Sequence, residues 1–262
     1  MGPPNAARMY DWYLGGAQNF AVDRECAQRA LERFPHTARS AQANRAFLRR
    51  AVRWCVRHGI TQFLDLGSGI PTVGNVHEVA RGLTEDAAVV YVDNEPVAAA
   101  HGRSLLGETP AVAFVEADLC DPDAVLSAPG VVDTLDLDRP VAVLFVAVFH
   151  FIGGDDDPAA IVARYRDAVA PGSAVVLSHV SDDQPTSDEA QAHRAVAEVY
   201  RRTSTPVYLR DRARITSLFA GTTLVDPGLV DATEWHPDTA EPAPARCGFY
   251  AGLARVPDRS GT

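Results

Sequence analysis

Phe63-Leu64-Asp65-Leu66-Gly67-Ser68-Gly69-Ile70-Pro71 is the stretch on which the reading of this chain turns. An apolar strand runs straight into an Asp-x-Gly-x-Gly turn, and a helix is expected beyond it. Glycines at 67 and 69 let the backbone turn tightly and approach a ligand closely, because no Cβ intervenes. A second apolar run, Val89-Val90-Tyr91-Val92-Asp93, ends in an acid. A carboxylate at the tip of the next strand can take both hydroxyls of a ribose. The two segments together predict a nucleoside-bearing cofactor lying across the carboxyl ends of a parallel sheet.

Outward from this pair the pattern alternates. Strands are expected at 62–66, 88–93, 111–116, 141–149 and 173–179, with helices at 73–82, 96–106 and 158–169 and a shortened one within 121–137. The run 141–149 is apolar throughout, as suits a strand covered on both faces. Asp157-Pro158 reads as a cap followed by a first-turn proline, and Pro171-Gly172 stops the same helix. Later come helices at 187–203 and 210–219, then strands at 222–230 and 248–254 joined by a proline-rich loop, an antiparallel hairpin added at the edge. Before the core, residues 1–20 read as an arm or short helix with a Gly15-Gly16 break. Helices follow over 23–34 and from Ser40, a plausible N-cap, to Arg57, where Gly59 closes the second. Residues 1–60 thus read as a helical cap or lid and 61–262 as the cofactor domain, the two forming one structural unit.

Composition sets outer bounds. Of 262 residues, 47% are hydrophobic and 22% charged, ordinary values for a globular domain. No 18-residue apolar run occurs and Met1-Gly2-Pro3-Pro4 opens no signal peptide, so a cytoplasmic protein without a membrane partner is expected. Four cysteines lie far apart with no C-x-x-C pair, which fits reduced thiols. A net charge of −10 argues against a nucleic-acid partner. All 24 basic residues are Arg, and 10 of them fall in the first 60 residues against 4 acids.

The turn at 65–69 does not match a dinucleotide fingerprint. That motif needs a third small residue where Thr72 stands, and its acid comes about 20 residues on. An acid-first turn and an antiparallel tail suit an S-adenosylmethionine fold better than a nicotinamide one. Asp118, after the third strand, can accept from an adenine amine while Leu119 covers the ring; equally, it can cap a helix. His150, expected at the end of the fourth strand, can orient an acceptor or take its proton, or be a packed core residue. In the arm, the rings of Tyr10, Tyr13 and Phe20 can face a sulfonium. Asn19 or an Arg can hold an amino-acid carboxylate. Arg45, Arg49, Arg53 and Arg57 form one basic row, a solvated or internally paired face or else an anion site. Asp155-Asp156-Asp157 is not read as a metal site, since consecutive carboxylates point apart; no metal is expected.

These residues carry a resemblance. The arm from Arg8-Met9-Tyr10-Asp11-Trp12-Tyr13 through Gly15-Gly16 to Asn19-Phe20, joined to Asp65-Leu66-Gly67-Ser68-Gly69-Ile70-Pro71, is similar to one family. So are Tyr91-Val92-Asp93-Asn94-Glu95-Pro96 and Tyr200-Arg201-Arg202-Thr203. The chain resembles the actinobacterial S-adenosylmethionine-dependent methyltransferases once catalogued only as a domain of unknown function. The resemblance implies an α/β fold: a doubly wound, mostly parallel seven-stranded class I methyltransferase sheet with an antiparallel C-terminal hairpin and a helical N-terminal cap. It implies S-adenosyl-L-methionine contacts at Asp65, Gly67, Ser68, Gly69, Asp93, Asn94, Asp118 and Leu119. To these the arm adds Tyr10, Tyr13, Asn19 and Phe20, with His150 and Tyr13 the catalytic candidates. No Asn/Asp-Pro-Pro-Tyr follows the fourth strand, which leaves O-, C- or other N-acceptors among small molecules open. A non-catalytic cofactor-binding module and a nicotinamide oxidoreductase are the alternatives.

Overall fold

The structure is a computed structural model that describes residues 2–71, 74–106, 109–153, 156–238 and 246–258. Thr72 and Asp155 lie outside the described residues. Five parallel strands form the body of the sheet: β1 (Gln62–Leu66), β2 (Ala88–Asp93), β3 (Val112–Glu116), β4 (Val141–Val146) and β5 (Ala174–Val180). The long β8 (Phe249–Arg255) runs antiparallel to β5. In space the order is β3-β2-β1-β4-β5-β8-β6, the last being the short strand Thr223–Leu224. The chain therefore reverses direction between β1 and β4, and the carboxyl ends at that switch point are where an open α/β sheet binds ligands.

The late strand expected at 222–230 is instead two short pieces, β6 (Thr223–Leu224) and β7 (Val230–Asp231), both antiparallel to β8. The sheet so gains an eighth strand. Between the pieces Pro227 offers no N–H to a ladder, and Gly228 at φ +84° turns the chain.

The helices are α1 (Ala6–Tyr13), α2 (Ala21–Arg33), α3 (Thr37–Arg57), α4 (Val76–Arg81), α5 (Pro96–Leu106), α6 (Pro122–Leu126), α7 (Pro129–Val132), α8 (Pro158–Ala168), α9 (Ser187–Tyr200) and α10 (Arg212–Ser217). Proline at 129 begins α7 rather than merely shortening a longer helix, as suits its missing N–H. Ser40 is not a cap: α3 starts a turn earlier, after His36, and Ser40 is buried inside it.

All of β1 is buried, and its side chains alternate between two cores. Leu64 and Leu66 join Val90, Val92, Val143 and Phe145 on one face. Phe63 joins Phe47, Val52, Val89, Leu144 and Trp235 on the other, beneath α3. Asp65 shares the parity of Phe63, so its side chain falls on the face that α3 covers. A third cluster ties α1, α2 and α9 together through Met9, Tyr13, Cys26, Ala30 and Tyr200.

Candidate functional site

A cleft of about 350 Å³ opens over the carboxyl ends of β1, β2 and β4, roofed by α1. Its floor is the turn after β1. Gly67 and Gly69 sit at φ +69° and +66°, where L side chains are strained. A Cβ on Gly67 would lie 2.2 Å from Val148 Cγ2, so position 67 admits no side chain. Gly67 and Ser68 donate to the Val92 carbonyl at 2.8 and 3.1 Å, and Gly69 N donates to Asp93 Oδ2 at 2.7 Å. The acid of β2 thereby fixes the turn of β1. Its other oxygen accepts from Glu95 N at 2.9 Å. A carboxylate has about four acceptor positions, so roughly two stay open toward the cleft. Burial raises the Asp93 pKa, with the Glu95 charge adding to it, and the backbone N–H groups of Glu95, Gly69 and Asn94 oppose that rise.

Asp65 lies deeper, with 5% of its surface exposed. Burial lifts its pKa to about 7; Arg45 pulls it down, and Asp93 adds to the rise. Arg45 reaches the cleft from α3 and lies over the Tyr10 ring, 5.7 Å from its centroid. The basic row is thus split. Arg45 is buried at the site, whereas Arg53 pairs with Asp238 at 2.6 Å on the surface. Nothing in the spacing set Arg45 apart from its neighbours.

Asp11, part of the N-terminal arm motif but given no role by the sequence, is a further wall residue. Its Oδ2 accepts from Gln18 N and Asn19 Nδ2, both at 2.8 Å, while its buried Oδ1 has no partner. The Gly15-Gly16 break follows from this: a Cβ on Gly16 would collide with the Asp11 carboxylate. Arg8 ties the arm down, with Nε on Asp23 Oδ2 at 2.8 Å and Nη1 on Glu95.

Of the predicted residues, the cleft walls bring together Tyr10, Asp65, Gly67, Ser68, Gly69, Asp93, Asn94, Asp118 and Leu119. Asp118 is exposed there and caps no helix. Its Oδ1 accepts from Cys120 N at 2.9 Å, and Asp121 caps α6. Asn19 and Phe20 lie outside the walls. The Asn19 amide donates to Asp11 and the Gly16 carbonyl, and Phe20 is 41% exposed with the Arg8 guanidinium over its ring.

His150 and Tyr13 are also elsewhere. The fourth strand ends at Val146, short of His150, because Ala147 takes the left-handed conformation at φ +58°. Such a residue stores on the order of 1–3 kcal/mol of strain. A 3₁₀ turn over Phe149–Phe151 follows, and Arg210 clamps it by donating to the Phe149 and Ile152 carbonyls at 2.7 and 2.9 Å. His150 and Tyr13 line a second, smaller chamber. Burial holds the His150 imidazole neutral, with His179 and Arg210 adding to the effect. Tyr10 and Phe151 border both spaces.

The sheet order, the glycine turn and the acid-tipped second strand define a class I S-adenosylmethionine-dependent methyltransferase. The sequence model of a family described as S-adenosyl methyltransferase matches residues 1–257. A crystal structure of a candidate methyltransferase from Thermobifida fusca YX is 38% identical, with a TM-score of 0.90 over 97% of this chain and 96% of that one. A DUF574 family protein from Streptomyces avermitilis MA-4680 is 37% identical, with a TM-score of 0.91 over 97% and 98%. The 1,6-didemethyltoxoflavin-N1-methyltransferase of Burkholderia thailandensis, crystallised with S-adenosylhomocysteine, shares the fold at 18% identity and a TM-score of 0.51, covering 91% of this chain and 92% of that one. No curated protein matches the chain. The chain belongs to the S-adenosyl methyltransferase family, which decides against the nicotinamide and non-catalytic alternatives.

Proposed function

We propose that the cleft over β1, β2 and β4 holds S-adenosylmethionine and that the chain transfers its methyl group to a small-molecule acceptor. The observation that carries this is the meeting of opposite charges and bare backbone at one strand end: Asp65 and Arg45 beside the Gly67–Gly69 turn, with Asp93 next to them. An amino acid's ammonium and carboxylate need an acid and a guanidinium together. Asp65, helped by the free Oδ1 of Asp11, suits the first, and Arg45 the second. The open acceptor positions of Asp93 suit the ribose hydroxyls. Asp118 and Leu119 suit an adenine edge and face, and the Tyr10 ring suits a cation.

The cofactor supplies a methyl carbon already activated by a sulfonium. When bound, it would offer that carbon to an acceptor lone pair, with the sulfur leaving as a neutral thioether and the acceptor's proton released. The protein's work is alignment and exclusion of water, worth several kcal/mol through proximity. His150, kept neutral, offers a ring nitrogen to the acceptor's hydrogen; its depressed basicity makes it an orienting partner more than a strong base. Residues 1–60 serve as the cap and 61–262 as the cofactor domain. Among the described residues no helix is long and apolar enough to cross a membrane, and the relatives come from actinobacteria. We read the protein as a cytoplasmic actinobacterial enzyme on that basis.

Calorimetry with S-adenosylhomocysteine tests the assignment. The wild type is expected to bind it, and Asp93→Ala to weaken binding by about 1.5–3 kcal/mol, roughly 10- to 150-fold. An unchanged dissociation constant removes Asp93 from the site.

A further inference from the structure

Behind the Tyr10 and Phe151 rings lies a partly open chamber of about 80 Å³, bounded by α1, α3, α9, the turn after β4 and residues of β5, β8 and the segment after α9. On the same measure a single water needs about 10–15 Å³, so the space admits a small organic group. Its walls are aromatic and aliphatic, among them Phe34, Ala41, Phe151, Val196 and Phe249. Three polar atoms on these wall residues are buried without a hydrogen-bond partner: Tyr13 Oη, Ser40 Oγ and His150 Nδ1. Each belongs to a side chain more than nine-tenths buried. The Tyr13 hydroxyl has Tyr200 as its polar neighbour, but without a hydrogen bond of normal geometry.

Buried polar atoms are seldom left unpaired, because each costs about 1–3 kcal/mol. Three around one cavity are not a packing accident that an all-apolar core would tolerate. All three groups are uncharged, and burial also pushes the other titratable wall residues, His193, Tyr10 and Tyr200, toward their neutral forms. Arg210 faces His150 from behind, but its guanidinium is occupied by the Phe149 and Ile152 carbonyls and His179. A carboxylate or ammonium would therefore find no counter-charge on the chamber's walls. A flat neutral ring would find aromatic edges and faces.

Resting on the cleft as the cofactor site, we propose that this chamber is the acceptor site and that the acceptor is a small, uncharged aromatic molecule with one hydroxyl or amino group. The ring fills the apolar walls, and the heteroatom meets the Ser40, Tyr13 and His150 atoms. The heteroatom reaches the methyl carbon past the Tyr10 and Phe151 rings, which line both spaces. Tyr10 is held by its hydroxyl, which donates to the Ala41 carbonyl and accepts from Asn44 Nδ2, both at 3.0 Å. That bracing holds the Tyr10 ring at the border that the cleft and the chamber share.

The test is a titration of the full-length protein, with and without S-adenosylhomocysteine, followed by ligand-observed nuclear magnetic resonance. The probes are p-cresol, toluene and 4-hydroxybenzoate. p-Cresol is expected to bind at least tenfold tighter than 4-hydroxybenzoate and several-fold tighter than toluene. Ala197→Leu, which fills the chamber from α9, should abolish p-cresol binding while leaving the S-adenosylhomocysteine affinity within twofold. Ser40→Ala, which keeps the volume, should narrow the gap between p-cresol and toluene. Equal binding of p-cresol by Ala197→Leu, no binding by the wild type, or no preference over the charged probe overturns the chamber. If S-adenosylhomocysteine fails to bind while p-cresol behaves as described, the cofactor reading falls and the chamber stands as a neutral aromatic site.

Discussion

The cleft and the chamber meet at the rings of Tyr10 and Phe151, yet they are built by opposite means. Loops at the ends of four strands make most of the cleft, and its working groups are charges and bare backbone. Three helices, a 3₁₀ turn and the edges of β5 and β8 make most of the chamber, and its few polar atoms are neutral. The cleft draws most of its residues from short continuous motifs. The chamber collects Tyr13, Ser40, His150, His193 and Phe249 from across the whole chain. A site for a fixed cofactor can be written into local turns. A site shaped to one apolar guest has to be assembled by packing.

That contrast can be broken by substitution. The largest effect is expected from Gly67→Ala. The added methyl meets Val148 and a left-handed backbone at once, costing on the order of 2–4 kcal/mol. S-adenosylhomocysteine binding should fall by more than about 30-fold while p-cresol binding changes little; a parallel loss of both would show that the two spaces are not separable.

Asp65 sharpens the electrostatic half. Its carboxyl, lifted to about 7, must ionise to receive an ammonium. Affinity for S-adenosylhomocysteine should thus be flat above pH 7 and weaken toward tenfold per pH unit below it. Asp65→Asn should bind more weakly at pH 8 and lose that slope in calorimetry across pH 5.5–8.5. The sign for stability runs the other way. A raised carboxyl pKa means that stability present below the unfolded value, near 3.8, is lost as pH rises toward 7. Asp65→Asn should accordingly melt higher than wild type at pH 8, by about 2–4 °C for each kcal/mol recovered. An Asp65→Asn protein that melts lower would mean the carboxylate is a net structural partner of Arg45.

The smallest effect belongs to the chamber. Ser40→Ala removes a buried hydroxyl that has no partner, so melting should stay within a degree or two of wild type or rise. S-adenosylhomocysteine affinity should not move. A clear drop in melting temperature would mean that Ser40 bonds to ordered water in the resting protein.

The same contrast explains how much the sequence could tell. Phe63 to Pro71 and Val89 to Asp93 specify both an element and its chemistry, because a turn with no Cβ and an acid at a strand tip are local requirements. The run beginning at Val141 announces a strand buried on both faces, and it is one. Arg45 was hidden because helix periodicity places it in line with Arg49, Arg53 and Arg57. Only the depth of Asp65 beneath α3 tells it apart. His150 was placed one element too early, since its position depends on the left-handed Ala147, a conformation that an alanine does not advertise. Strand 222–230 failed for a legible reason: Pro227-Gly228 in its middle is a turn signal that outweighs the flanking β-branched residues.

Arg8 has a consequence for traffic through the enzyme. Its guanidinium is shared between Asp23, just inside α2, and Glu95, which accepts from Ala98 N at 2.8 Å at the start of α5. Pulling a buried ion away from its counter-ions costs about 3–5 kcal/mol. A conformer with the first helix swung off the sheet would then be populated at about one molecule in 150 to 5,000. Exchange of spent cofactor for fresh is therefore expected to go through the standing mouth beside Asn94 and Asp118, with the roof bolted in place throughout the cycle.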